Sequence, residues 1–136
     1  MVSSSPLHAP PGAGMVLVVD DEPLAAQVTS RMLHEGGYTT VEVRSAREAL
    51  SVLELARPGF DVVVTDVVMP ETDGRTLGRL IAERHPGVPV IYVSAYPQND
   101  VFHRGAPDPL SLFLQKPFEA DTLLAVVRQV LTTKST

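Results

Sequence analysis

From Met15 onward, short aliphatic runs alternate with stretches of helical periodicity. The runs Val16–Val19, Val62–Val64, Val88–Val93 and Leu110–Leu114 are nearly continuous in Val, Ile and Leu, as strands buried on both faces require. Thr39–Val43, after Gly36-Gly37, is a weaker strand candidate. Between the runs, Leu24, Val28 and Met32 recur at helical spacing and predict the apolar face of a first helix. Ser45 and Glu48 form a capping box ahead of Ala49, Leu50 and Leu53. Gly74–His85 carries Leu77, Leu80 and Ile81 and stops at Pro86-Gly87. Leu123, Val127, Val130 and Leu131 mark a last helix, with Glu119 and Asp121 in its first turn. Strands alternating with helices predict a parallel sheet with right-handed crossovers, hence a three-layer α/β sandwich. Sites in such folds form beyond the carboxyl ends of the strands.

The strand exits are where the polar chemistry lies. The first strand ends in Asp20-Asp21-Glu22, the third in Asp66, the fourth in Ser94-Ala95 and the fifth in Lys116-Pro117. Converging carboxylates repel one another unless some are protonated or a cation joins them. A ligand set of oxygen alone suits a hard divalent ion, Mg²⁺ best. A carboxylate beside Mg²⁺ and a lysine can attack phosphorus and form an acyl phosphate. The cations then neutralise the equatorial oxygens, and a hydroxyl can donate to one of them. Asp66, Lys116 and Ser94 suit those roles. Each residue alone has a plainer reading. Asp66 or the Asp20-Asp21 pair could merely cap a helix, Lys116 could be a solvated surface lysine, and Ser94 an ordinary strand end. Lys116 is, however, one of two lysines, the other being Lys134. The joint pattern at four core-strand ends outweighs the separate explanations.

Composition narrows the classes. The 136 residues suit one domain. The acidic residues, 16 against 11 basic, argue against a nucleic-acid surface. The absence of cysteine excludes disulfides, thiolate zinc sites and cysteine nucleophiles, and fits a reducing compartment. No apolar run approaches a membrane span or a signal peptide, so a cytoplasmic location without membrane insertion is expected. Residues 1–14, rich in Ser, Pro and Gly, read as a flexible leader or linker, 15–132 as the folded domain, and 133–136 as a frayed tail. His8, His34, His85 and His103 lie away from the strand ends and read as surface residues.

The segments VLVVDDEP, DVVVTDVVMPETDG, VPVIYVSA and FLQKPF, in this order, resemble the receiver domain of two-component response regulators. The resemblance covers about Met15–Leu131. It implies a flavodoxin-like (CheY-like) fold, with a five-stranded parallel sheet of order 2-1-3-4-5. It implies Asp66 as phosphoacceptor, and Asp20, Asp21, Asp66 and the Val68 carbonyl as ligands of Mg²⁺, with Mn²⁺ a substitute. Ser94, Ala95 and Lys116 are implied to bind the phosphoryl group, across a cis Lys116–Pro117 peptide. Ser94 and Phe113 are the implied switch pair, and Phe113 also reads simply as a core aromatic. The implied partner is a histidine kinase or its phosphohistidine domain, or a histidine phosphotransfer protein.

This chain also departs from the family pattern. Val68 and Tyr96 stand where the family tunes acyl phosphate lifetime, and an apolar Val and a bulky Tyr give no obvious water-orienting group, so slow self-dephosphorylation is expected. Pro97, Gly105, Pro107 and Pro109 leave room only for a short or broken fourth helix. That feature, with FLQKPF, resembles the C-terminal receivers of hybrid sensor histidine kinases. A stand-alone single-domain response regulator is the alternative. Transcription control by this chain is not expected, since no effector domain follows. Two rival readings fit the residues less well. A haloacid-dehalogenase-like phosphatase would carry a second acid at Val68, and a receiver degenerated into a mere interaction module would have lost an acid, the acceptor or the lysine. A conventional enzyme is therefore not expected.

Overall fold

The computed structural model describes residues 14–56, 59–102 and 110–135. The strands among them are β1 (Met15–Val19), β2 (Thr39–Val43), β3 (Val62–Asp66), β4 (Val90–Ser94) and β5 (Leu112–Gln115). The helices are α1 (Pro23–Glu35), α2 (Ala46–Leu55), α3 (Gly74–Arg84), α4 (Gln98–Val101) and α5 (Ala120–Ser135). All strand pairs are parallel and the sheet order is β2-β1-β3-β4-β5, the order expected.

Alternation along the strands builds two apolar layers. Leu17, Val19, Val63, Val90 and Tyr92 face α2 and α3, where Leu53, Leu77 and Ile81 meet them. Val16, Val18, Val62, Val64, Ile91 and Val93 face α1 and α5, against Ala26, Leu33, Leu123 and Val127. The central strands are buried on both faces, which is why they read as unbroken aliphatic runs. The edge strand β2 is only partly covered, and its pattern is correspondingly weaker.

Several sequence expectations are corrected. Of the stripe Leu24-Val28-Met32, only Met32 packs against the core. Leu24 is 76% exposed and Val28 54%, whereas Ala26, Ser30 and Leu33 point inward. The small inward residues let α1 sit close to the sheet, and small size hides a core face from a pattern scored on large side chains. β4 begins at Val90, not Val88, because Pro89 has no N–H for the ladder and contributes only its carbonyl, which accepts from Val63. β5 begins at Leu112, and Ser111 Oγ instead accepts from the Val90 N–H (3.3 Å). Gly14 belongs to the fold, buried and accepting from the Thr39 N–H. The remainder of the proposed leader lies outside the described residues. α5 continues through Ser135 into the expected frayed tail, since neither Gly nor Pro interrupts it. The fourth helix is a single turn, and 103–109 lie outside the described residues.

The cap of α2 follows its motif with one displacement. Ser45 Oγ accepts from the Glu48 N–H (3.1 Å), but Glu48 Oε1 accepts from Arg44 (2.6 Å), one residue before the cap. Helix α3 starts on Asp73, whose Oδ1 accepts from the Thr76 N–H (3.0 Å).

Candidate functional site

The parallel strands are added on opposite sides of β1, β2 on one and β3 to β5 on the other, so the strand order reverses between β1 and β3, the place where open α/β sheets leave a crevice. Parallel register sets Val19 beside Thr65, so Asp20 and Asp66 emerge side by side. Carboxylate oxygens of Asp20, Asp21 and Asp66 lie within 4.8 Å of one another. Lys116 follows β5, two strands away from β3. Its long side chain bridges that gap and puts Nζ 3.8 Å from both Asp20 Oδ2 and Asp66 Oδ2. The Lys116–Pro117 peptide is cis. The Lys116 N–H donates to the Ser94 carbonyl (2.8 Å), which ties the lysine's backbone to the end of β4.

Burial raises the pKa of Asp66 above the usual carboxylate value. Lys116 opposes that rise, the charge of Asp20 adds to it, the Val68 N–H opposes it, and Asp21 adds a little more. The site is thus short of positive charge. Three crowded carboxylates and one lysine form a donor set that a hard divalent cation fits through oxygen. Asp20 is nearly buried and is steadied by the Glu22 N–H, which donates to Oδ1 (3.0 Å).

The surroundings fix the backbone of the acceptor loop. The Thr65 hydroxyl, fully buried, donates to the Asp66 carbonyl (3.0 Å). The Gly74 N–H donates to the Val67 carbonyl (2.8 Å), and a Cβ on Gly74 would strike the Asp66 carbonyl. The chain between them turns at Glu71, with φ 69°. Ser94 is buried, and its Oγ accepts from the Tyr96 N–H (3.0 Å). Ala95 is exposed beside it, and Val68 and Tyr96 stand exposed at the rim, each 59% accessible. Phe113 lies lower on β5, half-buried against Phe102 rather than among the strand-end groups. His34 is exposed, and His85, at the end of α3, is half-buried with a buried Nε2. His8 and His103 lie outside the described residues. Sequence reasoning did not single out Thr65, Arg75 or Phe102. Near them the sequence offers only Asp73-Gly74, which opens a helix directly after the acceptor loop.

Residues 16–128 match the response regulator receiver domain family. The chain belongs to that family. The sensor kinase CckA of Brucella abortus is 41% identical over 121 residues, covering 88% of this chain and 13% of that protein. The response regulator protein FleR of Pseudomonas aeruginosa is 41% identical over 119 residues, covering 85% of this chain and 24% of that one. The receiver domain thus spans under a quarter of each of these relatives. The solved signal receiver domain of a signal transduction histidine kinase from Syntrophus aciditrophicus superposes with a TM-score of 0.76 at 33% identity. It covers 89% of this chain and 92% of that one. A receiver domain of two-component signalling, with the flavodoxin-like sheet, is what the sequence resemblance implied. Among the described residues no helix is long and apolar enough to cross a membrane.

Proposed function

We propose that this receiver domain takes a phosphoryl group from phosphohistidine onto Asp66 and changes conformation in response. The observation that carries the reading is the Lys116 ammonium standing 3.8 Å from both Asp20 and Asp66 in a crowded acid cluster. Asp66 Oδ attacks phosphorus, the P–O bond forms, and the P–N bond to the donor imidazole breaks. The donor leaves with the electron pair of that bond. Lys116 offsets charge on the equatorial oxygens. Asp20, Asp21, Asp66 and the Val68 carbonyl would hold Mg²⁺, or Mn²⁺ in its place, and the ion supplies Lewis-acid charge neutralisation when bound. Ser94, turning away from the Tyr96 N–H, and the Ala95 backbone bind the phosphoryl group, and Phe113 responds. The chain promotes only the gain and loss of its own phosphoryl group.

A donor must approach over the strand-end edge. Leu24 and Val28 stand exposed beside it, in an open groove of about 510 Å³ shared with Met32 and Ala120. That apolar ground suits a helical partner, either a kinase's phosphohistidine domain or a histidine phosphotransfer protein. Likeness to a sensor kinase and to a kinase receiver favours a C-terminal place in a hybrid histidine kinase on the cytoplasmic side, with the Pro-rich leader as linker. Val68 is apolar and Tyr96 bulky at the rim, which favours an acyl phosphate that is slow to hydrolyse.

Incubation with acetyl phosphate and Mg²⁺, read by intact mass, tests the reading. One added phosphoryl group is expected, lost on chelation and in Asp66→Ala. Addition that survives in Asp66→Ala would assign a different acceptor.

A further inference from the structure

Helix α4 is a single turn, and one turn cannot hold itself in water. Its Gln98, Asn99 and Asp100 are exposed, so its place is set at the far end, where Val101 and Phe102 are buried. Two contacts fix that end. Arg75, in the first turn of α3, forks between two acceptors. Nη2 donates to Asp73 Oδ2 at 2.9 Å and Nη1 donates to the Val101 carbonyl at 3.1 Å. The Phe102 ring packs edge-on against Tyr92, centroids 4.8 Å apart, and edge-on against Phe113 at 6.4 Å. Tyr92 is tightly enclosed. It is fully buried against α3 at Gly78, where a Cβ would run into its hydroxyl. Tyr92 and Phe113 are register partners across β4 and β5, so Phe102 bears on both rings at the level where Phe113 would turn.

We propose that Arg75 and Phe102 are positioning residues that latch α4 to α3 and hold Phe113 in the unphosphorylated arrangement. The proposal rests on the phosphoacceptor reading of Asp66. In that reading Ser94, whose Oγ now accepts from the Tyr96 N–H, turns toward the phosphoryl group on Asp66, and the loop 95–97 follows it. That loop is the N-terminal attachment of α4. Pulling it toward Asp66 draws the turn against the Arg75 fork and the seated Phe102 ring. Phosphorylation therefore works against the latch, and by reciprocity loosening the latch favours the phosphorylated state. Asp73 joins the two ends of this path, since it caps the helix that begins at the acceptor loop and also orients Arg75.

The test compares wild type with Arg75→Ala, Arg75→Lys and Phe102→Leu. The arginine is an exposed arm, and leucine keeps most of the buried volume at 102. Amide exchange comes first and needs no phosphoryl group. In Arg75→Ala the Val101 and Phe102 amides should exchange roughly tenfold faster, while those of Leu77 and Ile81 in α3 stay unchanged. Unchanged exchange at Val101 and Phe102 overturns the latch. Beryllofluoride with Mg²⁺, a phosphoryl analogue, is then titrated while the Phe113 ring resonances are followed. The midpoint should fall roughly threefold to tenfold in Arg75→Ala and in Phe102→Leu. Arg75→Lys, which keeps the charge but cannot fork, should resemble Arg75→Ala. Variant midpoints equal to or above that of wild type overturn the coupling. A wild type that ignores beryllofluoride contradicts the phosphoacceptor reading instead, and the exchange result still decides whether the latch exists.

Discussion

Asp66 carries two burdens, a buried charge and two acidic neighbours, and only Lys116 and one N–H relieve them. Removing its charge should help the fold while ending its chemistry. We expect Asp66→Asn to be more stable than wild type by on the order of 1 kcal/mol without divalent metal, measured by urea denaturation at pH 7. Equal or lower stability would mean that the carboxylate is already well compensated. Glu71 is a second strained position. Its φ of 69° lies in a region that costs a side chain roughly 1–3 kcal/mol and costs glycine almost nothing. Glu71→Gly should therefore stabilise the domain by about 1 kcal/mol after the extra freedom of the unfolded glycine is subtracted. A loss in the same denaturation assay would show that the glutamate side chain contributes more than its backbone costs. Asp20, Asp66, Ser94 and Lys116 were all legible in the sequence, because parallel strands end at one edge and these groups follow aliphatic runs. Arg75 and Phe102 were not, since Arg75 reaches a carbonyl 26 residues away and Phe102 follows a single helical turn that carries no periodicity to mark it.

Helix α3 has a pH-dependent start. Burial alone would raise the pKa of Asp73, but the Thr76 N–H, the Arg75 side chain and its charge, and the Arg75 N–H together hold it below the usual carboxylate value. A depressed folded pKa adds stability above the unfolded value, and that stability is lost as pH falls through the folded one. Asp73→Ala should thus cost about 1 kcal/mol at pH 7 and distinctly less in strong acid. Urea midpoints at both pH values check it, and an equal cost at both would remove the charge from the explanation. Helix α1 teaches the converse about legibility. Periodicity located the helix, but two of its three marks, Leu24 and Val28, point outward, because Ala26 and Ser30 are weak marks of burial whereas large aliphatic residues are strong ones. β2 was faint for a related reason, since an edge strand needs only partial cover.

Across the whole molecule, strand order gathers residues from 20 to 116 into one charge-deficient cleft, and the order itself came from the motif resemblance rather than from periodicity. A cation that fills the cleft stabilises the fold by mass action. At a Mg²⁺ concentration ten times its Kd the gain should be about 1.4 kcal/mol, absent in the Asp20→Asn, Asp21→Asn double variant. A thermal shift that persists in that variant would place the ion elsewhere. The central claim is that Asp66 is the acceptor, and its chemistry allows a direct reading. An acyl phosphate is reduced by borohydride to an alcohol, whereas a free carboxylate is not. After treatment with acetyl phosphate and Mg²⁺, then borohydride and proteolysis, peptide mass spectrometry should find homoserine at position 66 and nowhere else. Homoserine at Asp20 or Asp21, or none in protein whose intact mass had gained a phosphoryl group, would contradict the assignment of Asp66.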